Sequence, residues 1–103
     1  MYKLNFFVPL ENKEDVKQAL FDMGVGKYKN YDMCAFESKG RGQFRPLDQA
    51  DPYLGENNIL EYVEEYKVEM VCDVNIIEQA VRTLKKAHPY EEVAFEVIKM
   101  EDF

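Results

Sequence analysis

The pattern of apolar residues at the start of the chain changes from the period of a strand to that of a helix. Every second position of the first stretch is apolar: Tyr2, Leu4, Phe6, Val8. This alternation predicts a strand with one buried face, and Pro9 ends it. Apolar residues then recur every three or four positions: Val16, Ala19, Leu20, Met23. That spacing predicts a helix with Asn12 as its N-cap and Gly24 as the left-handed residue that ends it.

The rest of the sequence repeats this order of elements. Strands are predicted at about residues 31–38, 62–73 and 93–97, and a second helix at about residues 75–87. One face of the third strand carries an apolar set: Tyr62, Tyr66, Val68, Met70, Cys72. The second helix has its own apolar stripe: Ile77, Ala80, Val81, Leu84. The order is therefore β-α-β followed by β-α-β, a weak internal repeat.

Two such units predict an α+β fold, a ferredoxin-like sandwich with two helices on one face of a four-stranded antiparallel sheet. The opposite face of the sheet would be uncovered. Apolar side chains are predicted on it among polar ones: Phe7, Val63, Val71, Ile98. This face predicts a homo-oligomer, a dimer or a trimer, although scattered apolar residues on a sheet face are also ordinary in a monomer.

Composition indicates one domain, residues 1–103, with an acidic surface. The chain is 47% apolar and 14% aromatic, enough for a single core. Its net charge of −7 repels nucleic acid and anionic membranes, and no apolar run approaches the length that spans a bilayer. Cys34 and Cys72 lie in apolar runs without metal-ligand spacing, which indicates core residues in a reducing compartment. We expect a cytoplasmic protein without nucleic-acid or membrane partners.

The long segment between the second and third strands, residues 40–61, is the first candidate site. It opens with Gly40-Arg41-Gly42-Gln43-Phe44-Arg45-Pro46. Arg41 and Arg45 offer paired donors for a carboxylate or phosphate, and Phe44 offers a stacking surface. Tyr53, in a second turn, is placed to cover a ligand. The alternative is structural: glycines that shape a hairpin, arginines that pair with acidic residues, and an aromatic ring at the core edge, since no GxxxxGK or GxGxxG pattern is present.

The second candidate site is the run His88-Pro89-Tyr90-Glu91-Glu92, which contains the only histidine. The imidazole titrates near neutral pH, and the phenol and carboxylates beside it can orient the ring or receive a proton. His88, Glu91 and Glu92 also make a divalent metal ion the candidate cofactor, but a tight site needs a further ligand from another subunit or from Cys34. A structural role competes with both, in which His88 closes the helix and donates to a carbonyl.

Several segments together resemble a known family: Phe7-Val8-Pro9, Gly24 with Gly26, Asn30-Tyr31, residues 40–46, Gly55-Glu56 and residues 87–94. They are similar to the PII-like, CutA-like domain inserted in YqfO-type proteins, the bacterial relatives of the yeast NGG-interacting factor. The resemblance extends over nearly the whole chain. It implies the ferredoxin-like core of PII signal proteins and CutA, which are trimeric, with the long loop in the position of the ligand-responsive loop of PII.

The chain departs from full-length YqfO-type proteins, whose two-metal site belongs to an outer domain that has no counterpart here. We therefore transfer no hydrolase activity and expect a standalone ligand-binding or regulatory module. Arg41 and Arg45 would hold a small anion, while Phe44 and Tyr53 would cover it. His88 and Tyr90, with Glu91 or Glu92, would orient donors or confer pH sensitivity. A metal-dependent enzyme and a scaffold that binds only proteins are the alternatives.

Overall fold

The computed structural model describes residues 1–103 and contains four strands and two helices. In chain order these are β1 (Tyr2–Pro9), α1 (Leu10–Asp22), β2 (Phe36–Phe44), β3 (Glu61–Cys72), α2 (Ile77–Ala87) and β4 (Phe95–Lys99). The strands form one sheet in the order β2-β3-β1-β4, and every neighbouring pair is antiparallel. The predicted α+β, ferredoxin-like fold is confirmed. Neither helix has the length and apolar character that crossing a membrane requires.

The core lies between the two helices and the face of the sheet that carries the even-numbered residues of β1 and β3. Its buried members are Leu4, Phe6, Val8, Val16, Leu20, Val25, Val68, Met70, Cys72, Ala80 and Leu84. The predicted apolar stripes of both helices therefore pack on the sheet, and burial of each large aliphatic side chain is worth about 1.5–3 kcal/mol. Only 17 of the 103 residues are buried, so much apolar surface stays exposed in one chain.

Helix α1 begins at Leu10, directly after Pro9, so the predicted N-cap at Asn12 is wrong. Pro9 precedes the helix with extended backbone angles (φ −61°, ψ 153°), and no side chain caps the first turn. Proline has no N–H that would need a partner at this position. The other end of the helix follows the prediction, because Gly24 adopts φ +105°, a conformation that glycine reaches without strain.

Strand β2 lies further along the chain than predicted, because residues 40–44 belong to it and not to a loop. They pair with residues 61–65 of β3 in a regular antiparallel register. Gly42 does not break the strand, since the Glu65 carboxyl occupies the space that a side chain at Gly42 would fill. Cys72 is buried as predicted, whereas Cys34 is only half-buried and lies in the connection that precedes β2.

The outer parts of β2 and β3, residues 40–44 and 61–65, form a two-stranded arm. Buried positions of β3 stop at Val68, and Tyr62 on the arm is 47% exposed. The molecule is accordingly elongated, with dimensions of 46 × 25 × 24 Å. The loop after β2, residues 45–60, closes the tip of the arm. Asn57 donates to the carbonyls of Asp48 and Ala50, and these bonds hold the loop in a compact form.

Candidate functional site

The loop 45–60 and the turn 88–92 enclose a cavity of about 480 Å³ beside the uncovered face of the sheet. Strands β1, β2 and β3 contribute to its lining, because the register places Phe7, Phe44 and Glu65 on the same face. Most of the wall is apolar: Phe7, Phe44, Pro46, Leu47, Tyr53, Leu54. The two segments that the sequence singled out therefore line one cavity.

Two contacts join the loop to the turn. The backbone N–H of Asp51 donates to Oε2 of Glu91 at 3.1 Å. The rings of Tyr53 and Tyr90 lie 6.1 Å apart between centroids and are inclined by 49°, a tilted geometry that aromatic pairs favour. One side of the cavity is thus formed by a loop that a hydrogen bond and an aromatic contact hold in place.

The charged groups of the cavity are an arginine and three glutamates: Arg45, Glu65, Glu91, Glu92. Arg41 does not reach this cavity. Strand alternation places Arg41 on the other face of the sheet, where it lies opposite Glu64 in the strand register. Its guanidinium lies 4.4 Å from the centroid of the Tyr62 ring. The structure therefore does not bring the two predicted anion-binding arginines together.

His88 closes α2 and lies behind Tyr90, outside the lining of the cavity. Its backbone N–H donates to the Leu84 carbonyl at 2.9 Å, and the residue is only 5% exposed. Nε2 contacts the Phe7 carbonyl at 2.7 Å, and Nδ1 accepts the Tyr90 backbone N–H at 3.1 Å. These partners assign the neutral tautomer, in which Nε2–H is the donor.

The electrostatics and packing of His88 agree with a positioning role. Burial lowers the pKa of His88, and the hydrogen bond to the Phe7 carbonyl offsets only part of that effect. The imidazole lies 4.7 Å from the Tyr90 ring. His88 therefore fixes the start of the turn and the ring beside it, which is the structural role that competed with ligand binding at the level of the sequence.

The turn does not assemble a metal site within one chain. Both ring nitrogens of His88 have protein partners, and Glu91 accepts the Asp51 amide. The chain contains no group of three histidine, cysteine, aspartate or glutamate side chains that could hold a metal ion. Within one chain, His88, Glu91 and Glu92 with Cys34 as a further ligand are therefore not grouped, and a site completed by a ligand from another subunit stays a prediction.

Glu65 lines the cavity next to Tyr90, although the sequence pattern did not single it out as a site residue. Burial raises the pKa of the Glu65 carboxyl, and the Tyr90 hydroxyl offsets part of this effect. That hydroxyl is shielded from solvent and makes no hydrogen bond of good geometry. Its burial, followed by the charges of Glu65 and Glu11, raises the pKa of Tyr90 to about 12. The only signal in the sequence was Gly42, whose missing side chain leaves room for this carboxyl.

Comparison with curated proteins shows similarity to one segment of longer chains. The protein is 42% identical over 99 residues to the "GTP cyclohydrolase 1 type 2 homolog" of Staphylococcus epidermidis and 41% identical over 99 residues to that of Bacillus subtilis. Each match covers 96% of this chain but only 27% and 26% of the relatives, so the chain spans about a quarter of their length. No protein-family model matches the chain.

Solved structures support the same relationship and the fold. A Bacillus cereus protein related to NIF3 superposes with a TM-score of 0.82 at 36% identity, over 98% of this chain and 26% of that one. CutA1 from Pyrococcus horikoshii superposes with a TM-score of 0.72 at 20% identity, over 100% and 86% of the two chains. The chain thus has a CutA-like, PII-like fold and is similar to a segment of NIF3-related proteins.

Proposed function

We propose that the chain is a ligand-binding module that holds a small anionic molecule with an aromatic ring in the cavity between the loop 45–60 and the turn 88–92. The observation that supports this proposal is the cavity itself. Its volume of about 480 Å³ falls within the range of about 300–1,000 Å³ typical of small-molecule sites. Its wall is mostly apolar, and Arg45 is its basic lining residue.

Each side chain of the cavity has a distinct part in this proposal. The Arg45 guanidinium offers a fixed pair of N–H donors, which suits a carboxylate or phosphate. Phe44, Tyr53 and Tyr90 supply aromatic surface for the ring of the ligand. Glu91 holds the loop through the Asp51 amide. His88 acts through Tyr90, as a positioning residue.

We infer that the module is a homo-oligomer, a dimer or a trimer, that associates through the uncovered sheet face. The strand register supports this inference, because it places the predicted apolar residues on the same face of the sheet: Phe7, Val63, Val71, Ile98. Strand β2 adds Phe36, which is 66% exposed, and Ile98 is 49% exposed. Apolar surface of this kind is typical of interaction sites.

We do not extend the cyclohydrolase activity in the relatives' name to this chain. The chain corresponds to about a quarter of those proteins, and it does not group three residues that would hold a metal ion. The regulatory role remains the interpretation that fits a binding cavity closed by a loop. Its alternative, a scaffold that binds only proteins, predicts that no small molecule occupies the cavity.

Substitution of Arg45 tests the proposal, with Arg41 as a matched control. Thermal shift and titration calorimetry would use a panel of nucleoside phosphates and aromatic carboxylates. Arg45→Gln should weaken binding of the tightest member by about tenfold or more, because a charge-assisted pair of hydrogen bonds is lost. Arg41→Gln should bind like the unmodified protein, since Arg41 contacts Tyr62 on the other face. A panel in which no member shifts the melting temperature, or equal effects of the two variants, would contradict the proposal.

A further inference from the structure

The imidazole of His88 joins two walls of the cavity without lining it. Nε2 lies 2.7 Å from the Phe7 carbonyl of β1, and Nδ1 accepts the Tyr90 backbone N–H of the turn at 3.1 Å. Phe7 and Tyr90 both line the cavity, whereas His88 is only 5% exposed and lies behind them. One buried ring therefore holds the turn 88–92 against β1.

Only the neutral imidazole can make both of these hydrogen bonds. Its Nε2–H donates to the carbonyl, and its unprotonated Nδ1 accepts from the amide. A second proton would convert Nδ1 into a donor that points at another donor, while the bond from Nε2–H to the Phe7 carbonyl would persist. Protonation of His88 thus acts on one wall of the cavity, because it removes the acceptor of the Tyr90 amide.

The turn is also what holds the loop 45–60 beside the cavity. Oε2 of Glu91 accepts the Asp51 backbone N–H at 3.1 Å, and the Tyr90 ring contacts the Tyr53 ring. Hydrogen bonds within the loop keep its own shape. A turn that moves away from β1 would therefore release the loop as a unit.

Charged side chains around the turn act on the Tyr90 phenol rather than on the imidazole. After burial, the charges of Glu65 on β3 and of Glu11 on α1 raise the pKa of Tyr90. The pKa of His88 is lowered by burial, and only the Phe7 carbonyl offsets this effect. No carboxylate forms an ion pair with the ring, so protonation brings no compensating contact.

We propose that protonation of His88 releases the turn 88–92 from β1 and with it the loop 45–60, so that the cavity gives up its ligand at mildly acidic pH. The inference rests on the proposed function and adds the regulation of its site. The closed arrangement needs the neutral ring, so it is complete above about pH 6.5, the ordinary pKa of an imidazole, and is lost as the pH falls below that value. His88 is a positioning residue in this inference, since it does not touch the ligand.

An NMR titration of the ligand-free chain from pH 7.5 to 5.5 tests the path from the ring to the loop. We expect the Asp51 amide signal to shift with the same midpoint as the His88 ring signals, although the two residues lie on different segments. Carboxyl groups ordinarily titrate at about pH 4, so this midpoint distinguishes the imidazole from them. The Ala80 amide of α2, bonded to the Ile76 carbonyl, is the reference and should not shift.

Three variants identify the residues of this path. His88→Gln should remove the shift of the Asp51 amide, which would exclude Glu65, a carboxyl whose pKa burial raises, as its source. Glu91→Ala should leave the titration of the ring intact but abolish the response of the loop. Glu92→Ala is the matched control and should keep that response, because the contact with the Asp51 amide belongs to Glu91. Circular dichroism would establish that each variant is folded.

Titration calorimetry with naphthalene-2-sulfonate, an aromatic anion whose charge is constant from pH 5.5 to 7.5, tests the release of a ligand. Its affinity should be about threefold or more weaker at pH 5.5 than at pH 7.5 for the unmodified protein, and constant for His88→Gln. An Asp51 amide that does not follow the imidazole, or an affinity that does not change with pH, would overturn the inference. Absence of binding at every pH would contradict the proposed function, while the ligand-free titration would still decide whether the ring controls the loop.

Discussion

At the scale of single residues, His88 is an imidazole kept neutral by its surroundings. Nε2–H donates to the Phe7 carbonyl, and Nδ1 accepts from the Tyr90 amide. Protonation would place a second N–H at Nδ1, against the Tyr90 donor. The same two bonds join the end of α2 to β1 and to the turn, so the residue that suggested chemistry in the sequence stabilises the wall of the cavity.

We expect the free energy of unfolding to fall as the pH drops from 7.5 to 5.5. Burial lowers the pKa of His88 in the folded chain, relative to about 6.5 in an unfolded chain. The unfolded state then binds the proton first, so the contribution of His88 is complete above pH 6.5 and is lost as the pH falls below it. Urea unfolding across this range measures the dependence.

His88→Gln should flatten this dependence and lower the stability at pH 7.5 by about 1–3 kcal/mol, because the buried Phe7 carbonyl loses its donor. The difference between the variant and the unmodified protein isolates the imidazole. Glu65, whose raised pKa acts in the opposite direction, is present in both. An NMR titration that placed the pKa of this histidine above 6.5 would show the assignment to be wrong.

At the scale of elements, the connection between α1 and β2 explains where β2 begins. The Gly26 N–H donates to the Val71 carbonyl at 2.8 Å, and the Cys34 N–H donates to the Gly26 carbonyl at 2.8 Å. These bonds tie the connection to the end of β3. Glu37 of β2 then pairs with Lys13 and Lys17 of α1, and the hydrogen bond from Lys13 lowers the pKa of Glu37.

Gly26→Ala should destabilise the protein by about 2 kcal/mol or more. Gly26 has φ +82°, and an added Cβ would lie 2.8 Å from the Cys34 carbonyl oxygen and 2.9 Å from the Phe21 ring. Thermal and urea unfolding would measure the loss. Gly40→Ala is the control, because no atom lies within 4 Å of its added Cβ, and its effect should stay within about 0.5 kcal/mol. Equal stability of the two variants would contradict this account of the connection.

At the scale of the whole molecule, one chain covers only one face of its sheet. The helices bury the even-numbered face of β1 and β3, while the other face keeps large side chains in contact with solvent. Ion pairs occupy part of that face; for example, Nζ of Lys67 lies 3.6 Å from Oε1 of Glu96. Apolar positions remain between these pairs, and the oligomer that we infer would bury them.

Sedimentation velocity should detect a dimer or trimer of the unmodified protein. Ile98→Lys and Val63→Lys should shift it toward the monomer, because a charge on the buried face of an interface would lose its water without a partner. Val74→Lys is the control, since Val74 is 55% exposed in the connection after β3, outside the sheet. A monomeric unmodified protein in the micromolar range would refute association through this face.

Local sequence determined the order of the elements, the residues of the core and the class of the fold. The reason is physical: burial repeats every two residues in a strand and every three or four in a helix, so the pattern reports which face is buried. Val68, Met70 and Leu84 were all predicted in this way, and all lie in the core. The run at residues 88–92 was also visible, because it follows a helix stripe and contains the only histidine.

Only the tertiary structure decided which of these side chains share a space. In the sequence alone, the glycines at positions 40 and 42 indicate a loop. In the folded chain, β3 pairs with these residues and places the Glu65 carboxyl over Gly42, so β2 stays regular. The same register sends Arg41 away from the cavity and brings Glu65 to it. Pairing between distant strands sets these positions, and a periodic pattern within one strand contains no information about the residue that lies opposite.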